Sequence, residues 1–162
     1  MTRPLLARLL LIACLLPVAP GGFAQAEETL IWTGNASDGF VSLSYGPLDP
    51  AKTPVFLLSC FDAMGIAVLN LRHDVEDAKQ GEPLTIVLSA GGTTAEVKGE
   101  VSDDESSGTI FAEASDIAVK PLLEVLRQKG PITVTAGKAN TSLSDSGRAE
   151  AVKLFSDACP LE

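Results

Sequence analysis

The sequence predicts a β-rich α+β domain: an antiparallel sheet or flattened sandwich of about seven to nine strands, with a short helix and a C-terminal helix packed on one face. Three observations carry this expectation. Short runs rich in Val, Ile, Leu, Phe and Thr recur at roughly 10-residue spacing, with Gly, Pro, Asp and Ser between them, which is the rhythm of strands and turns. Two segments depart from it with helical spacing, one opening at Pro121 and one closing at Cys159. No repeat, linker or low-complexity tract interrupts residues 27–162, roughly 136 residues that suit one domain with a real core and are too few for two.

Leu30 to Thr33 and Phe40 to Tyr45 are the first predicted strands. In the second, Val41, Leu43 and Tyr45 alternate with Ser42 and Ser44, so one face turns inward. Pro47, Pro50 and Pro54 make a stiff turn before the apolar run Val55 to Cys60, expected near the centre of the sheet. Met64-Gly65 reads as a hairpin turn into Ile66 to Arg72. There Ile66, Val68 and Asn70 share one face and Ala67, Leu69 and Leu71 the other, both at least partly buried. After a charged loop from Asp74 to Gly81, strands are expected at Leu84 to Leu88, Thr94 to Val101 and Thr109 to Ala114. Gly91-Gly92 and the acidic loop Asp103-Asp104-Glu105 join them in an antiparallel meander.

Pro121 suits the first turn of a helix, and Leu122, Leu123, Val125 and Leu126 give it an apolar face, so a short helix is predicted over Lys120 to Lys129 with Gly130 as its stop. Ile132 to Ala136 returns to strand, and a weaker strand is expected near Thr141 to Leu143. The last helix runs from about Gly147 to Cys159, capped by Asp145 or Ser146, with Ala151, Val152, Phe155 and Cys159 on its buried side.

The first residues follow the grammar of a secretory signal. Arg3 and Arg8 precede the apolar run Leu9 to Leu16, helix breakers follow at Pro17, Pro20 and Gly21, and Ala24-Gln25-Ala26 offers small side chains for cleavage after Ala26. Residues 1–26 are therefore predicted as a signal peptide and 27–162 as a single domain in the periplasm or outside the cell. The apolar run is far short of the ~20 residues of a spanning helix, so no transmembrane anchor is expected in the mature chain. The competing reading is a bacterial lipobox, Leu11-Ile12-Ala13-Cys14, in which a lipid-anchored Cys14 would lead the mature chain.

The full chain has 12 basic and 21 acidic residues, and the signal removes two of the basic ones, leaving a net charge of about −11. Nucleic acid and anionic lipid surfaces are not expected as partners, and the charge would steer the protein toward basic surfaces, such as a basic envelope protein, or cations. With Cys14 gone, Cys60 and Cys159 are the two remaining cysteines, and in an oxidising compartment they are expected to pair and staple the last helix to the sheet.

Chemistry-bearing residues are sparse. His73 is the only histidine, which rules out a histidine pair for a metal within one chain. Ser59 and Ser89 lie in no Gly-x-Ser-x-Gly elbow. Asp74, Glu76, Asp77, Asp103, Asp104 and Glu105 could serve glycoside hydrolysis or hold calcium, but few aromatics accompany them and the alternating ligand spacing of an EF-hand is absent. No cofactor is expected. These six acids are instead the loops where a basic partner would be steered. Asn35-Ala36-Ser37 and Asn140-Thr141-Ser142 match the glycosylation sequon and are expected to be unmodified in a bacterial protein.

The apolar strand Phe56-Leu57-Leu58-Ser59-Cys60, the strand Ile66 to Leu71, the leucines Leu122 and Leu126 before a strand, and a last helix from Gly147 to Cys159 together resemble the VasI/TagO-like proteins associated with type VI secretion. The resemblance covers roughly residues 54 to 160. It implies a small exported protein whose strand-end cysteine pairs with a cysteine closing the last helix. Periplasmic lysozyme inhibitors are a second comparison, similar in size, compartment and acidic charge. The expected function is a non-catalytic envelope protein that binds another envelope protein. The alternatives are a small hydrolase or carbohydrate-active enzyme using the loop carboxylates, and an extracytoplasmic component of a secretion system.

Overall fold

The computed structural model describes residues 28–72, 75, 78–104 and 107–161. The predicted signal peptide with Cys14, and His73, Asp74, Glu76, Asp77 and Glu105, lie outside the described residues. Among the described residues nine strands form one sheet: β1 (Leu30–Ser37), β2 (Phe40–Pro47), β3 (Phe56–Phe61), β4 (Ile66–Leu71), β5 (Pro83–Ala90), β6 (Thr93–Asp104), β7 (Thr109–Ser115), β8 (Ile132–Ala136) and β9 (Ala139–Leu143). Two helices, α1 (Val119–Leu126) and α2 (Arg148–Ala158), pack on it. The spatial order is β1-β2-β3-β4-β7-β6-β5-β8-β9, and every pairing is antiparallel.

The expected meander is therefore broken in two places. Strands β1 to β4 follow one another, but the chain then crosses to β5 and returns through β6 to β7, which pairs with β4 through Leu69 opposite Ala114. Helix α1 next carries the chain back over β6 and β5 to β8. Pairing between β6 and β7 begins only at Glu100, because β6 leans toward β5 on the other side of Gly99. A Cβ at Gly99 would stand 2.2 Å from the Glu113 carbonyl oxygen, so only glycine permits this approach.

The period-2 alternation places one face of every strand in the core. Leu43, Phe56, Leu58, Leu69, Ile86, Leu88, Ile132 and Leu143 are fully buried. α1 adds Val119, Leu122, Val125 and Leu126, and α2 adds Ala151, Val152 and Phe155. The sheet curls until the chain leaving β9 reaches β1. There the Trp32 backbone N–H donates to the Ser146 carbonyl at 2.9 Å, and its indole Nε1 to the Ser144 carbonyl at 2.6 Å. Trp32 also packs on Tyr45 and Phe56, with ring centroids 5.2 Å away in each case.

Both helix termini differ from expectation. α1 ends at Leu126, not Lys129: the Gln128 N–H goes to the Val125 carbonyl, three residues back, while the Glu124 carbonyl that a continuing helix would offer it accepts from the Gln128 side chain, and the buried Arg148 guanidinium holds the following turn by the Gln128 and Gly130 carbonyls. α2 has Gly147 as its N-cap and no side-chain cap, so neither Asp145 nor Ser146 plays that role. The Ser146 carbonyl is held by β1, and the turn that results puts Gly147 at φ 77°, with its Cβ position 2.8 Å from the Trp32 carbonyl oxygen. Cys60 and Cys159 form the expected disulfide, with Cα atoms 5.9 Å apart, joining β3 to the end of α2.

Candidate functional site

The face of β2, β3 and β4 turned away from the core carries the apolar side chains that the core does not use. Register sets them in rows. Phe40 lies opposite Phe61, and Phe61 opposite Ile66; Ser42, Ser59, Val68 and Ser115 form the next row; Ser44, Leu57, Asn70, Glu113 and Glu100 the one after. Phe40, Leu57, Phe61, Ile66 and Val68 are each half-buried, and Phe40 and Phe61 pack on one another at 5.2 Å. At the centre of the strip Ser59 is buried by its neighbours. It is thus a packing position in this face. Ser89 shares a hydrogen bond with the Thr94 hydroxyl at 3.3 Å across the β5–β6 hairpin.

Acids border the strip at both ends. Asp38 and Asp62 are exposed and share with Phe40 a shallow hollow of about 270 Å³. At the other end Glu100 and Glu113 stand directly opposite one another on β6 and β7, beside Lys98 and Ser115. Like charges in that register repel when nothing lies between them, so the pair favours a cation. Sequence reading placed Val55 to Cys60 near the centre of the sheet and had both faces of Ile66 to Arg72 at least partly buried, which the half-buried Ile66 and Val68 agree with, but it did not single out this outer face as a surface. The signal was present in the alternation itself, where Ile66 and Val68 are as apolar as Ala67 and Leu69.

Asp103 and Asp104 are not in a loop. They are the last residues of β6, opposite Ile110 and Thr109. Asp104 forms an ion pair with Arg72 at 3.0 Å, and the Arg72 guanidinium lies over Phe111, 4.7 Å from the ring centroid. Asp103 accepts from the Gln80 side-chain amide. Both carboxylates are half-buried and hold the end of the β6–β7 hairpin to the chain leaving β4, a structural use of residues expected to face a partner. Asp74, Glu76, Asp77, Glu105 and the lone histidine, His73, lie outside the described residues.

Among the described residues there is no group of three or more His, Cys, Asp or Glu side chains that could hold a metal ion, and no helix long and apolar enough to cross a membrane. No family model, no curated protein and no solved structure matches the chain.

Proposed function

We propose that this chain is an exported, non-catalytic protein of the cell envelope that binds another envelope protein of basic surface through the outer face of β2, β3 and β4. The observation that carries the reading is the half-exposed apolar strip of Phe40, Leu57, Phe61, Ile66 and Val68 with Asp38, Asp62, Glu100 and Glu113 around it. An apolar centre with a polar rim is the anatomy of a protein-binding patch. The net charge of about −11 after the predicted cleavage would steer a basic partner toward it. The disulfide suits an oxidising compartment. A partner belonging to a secretion machine would agree with the resemblance to the VasI/TagO-like proteins.

The test is retention of a partner from a bacterial envelope extract by immobilised residues 27–162, at low and high salt, beside an Ile66→Lys/Val68→Lys variant whose melting matches the wild type. A basic protein retained by the wild type, weakened by salt and lost by the variant is the expected result. Equal retention by the variant overturns the assignment of the face.

A second reading, hydrolysis using paired carboxylates, is favoured by Glu100 opposite Glu113 beside a hollow of about 230 Å³. Hydrolysis of an envelope polysaccharide that disappears in Glu113→Gln would establish it.

A further inference from the structure

β9 is the last strand of the sheet, and among the described residues no strand pairs with its outer edge. The β8–β9 hairpin turns through two residues, Gly137 and Lys138, with Gly137 at φ 58°. A two-residue turn makes Ala136 and Ala139 a hydrogen-bonded pair, and alternation then makes Val134 with Thr141, and Ile132 with Leu143, the next bonded pairs. The N–H and C=O groups of Asn140 and Ser142 therefore point away from β8, and no backbone bond from a described residue reaches them. Both residues are exposed. The same alternation turns the Trp32 N–H outward at the other end of the sheet, but there the Ser146 carbonyl accepts it at 2.9 Å and α2 packs on the strand.

An open edge is a template for another strand, and sheets ordinarily guard one with a charge, a proline or a bulge. β9, Ala-Asn-Thr-Ser-Leu in continuous register with β8, has none of these. From Ile132 to Leu143 the only ionisable side chain is Lys138, in a chain with 21 acidic residues. Nothing acidic draws a basic partner to this edge, whereas a second copy meets little of the repulsion that its acids would cause elsewhere. The edge also complements itself. Under a two-fold axis at Thr141, antiparallel pairing sets Asn140 opposite the second copy's Ser142 and Ser142 opposite its Asn140, so the outward groups of both residues find partners together. The same register carries Lys138 to the end of the second copy's β9, near its Asp145. Both charges are exposed, and neither is in an ion pair among the described residues.

We propose that β9 pairs antiparallel with β9 of a second copy of this chain, joining the two sheets edge to edge about a two-fold axis at Thr141. The contact is short and polar, so the dimer is weak and reversible. It uses no residue of the outer strip on β2 to β4 and does not depend on the function proposed for that face.

The experiment is a concentration series of the disulfide-bonded protein, residues 27–162, followed by sedimentation equilibrium and by amide nuclear magnetic resonance. Mass should rise from monomer toward dimer with a Kd on the order of 0.1 mM, the weak class that suits a contact well below ~1,200 Å². Saturable shifts should be largest at Asn140 and Ser142. A sample mixed from labelled and unlabelled protein should show contact between the Thr141 α-protons of two copies, which face one another in this register. Asn140→Glu/Ser142→Glu keeps the β8 ladder and sets like charges opposite one another, and should weaken association at least about tenfold. Lys138→Asp should weaken it by about threefold, and Lys138→Asp/Asp145→Lys should restore it. If the glutamates unfold the domain, the charge swap decides. A protein that stays monomeric throughout, shifts centred on another surface such as Phe40 to Val68, association undiminished by the glutamates, or a swap that fails to restore it would overturn the pairing.

Discussion

Gly147 sits where three demands meet. The chain leaving β9 must hand the Ser146 carbonyl to Trp32, turn, and start α2 within one residue, and the resulting φ of 77° with a carbonyl oxygen 2.8 Å from the Cβ position admits only glycine. Gly147→Ala adds left-handed strain and a clash with backbone, which has no flexible end to move aside. A loss of about 1–3 kcal/mol is expected, measured as a lowered urea midpoint with an unchanged slope. A changed slope would mean that the native or unfolded ensemble had been altered instead. This position also shows why the helix cap was misread. Asp145 and Ser146 have the right chemistry for capping, but the cap is decided by where the Ser146 carbonyl goes, and that is fixed by a partner more than a hundred residues earlier. Asp103 and Asp104 were misplaced for a similar reason. Aspartate reads as loop in a local window, yet Arg72 and the register with Thr109 and Ile110 keep these two in strand.

Most strands could be read from their own alternation. Ile132–Ala136 is found with the predicted bounds, and Val41, Leu43 and Tyr45 point inward as their spacing requires. Strand order could not, since the crossing from β4 to β5 and the return over α1 depend on contacts between distant segments. The candidate face was half legible. The sequence shows that β3 and β4 are apolar on both sides, but an apolar side chain carries no mark of whether its cover comes from its own chain or from a partner. The terminal helix was legible down to its buried cysteine. α2 lies on β1 and β2 through Ala151, Val152 and Phe155, and Cys159 ties its end to β3. Breaking that tie opens a loop with a sequence separation of 99 residues, so replacing both cysteines with serine should cost about 4–5 kcal/mol in the chain-entropy picture. The local consequence is specific. Amide exchange should speed up most at the end of α2 and far less in β5 and β8, which contribute no residue to the bond. Uniform acceleration would show that α2 unfolds only with the whole domain.

At the scale of the whole molecule, the proposed function divides the work of recognition in time between charge and apolar surface. If the proposed function holds, the acidic surplus acts over about a Debye length, roughly 10 Å at 0.1 M salt, and would govern how fast a basic partner arrives. The strip from Phe40 to Val68 would act only on contact, and so would govern how long that partner stays. The two should separate in binding kinetics once the partner is in hand. Raising salt from about 0.05 to 0.5 M should slow association by about tenfold or more while dissociation changes by less than about twofold. Ile66→Lys/Val68→Lys should do the reverse: dissociation speeds up, and association is not slowed, or slows only by the two negative charges' worth of steering that the lysines offset. Salt that acts mainly on dissociation would place charge pairs inside the buried contact, and the acids to change next would then be Glu100 and Glu113, which lie in the same row of the face as Leu57.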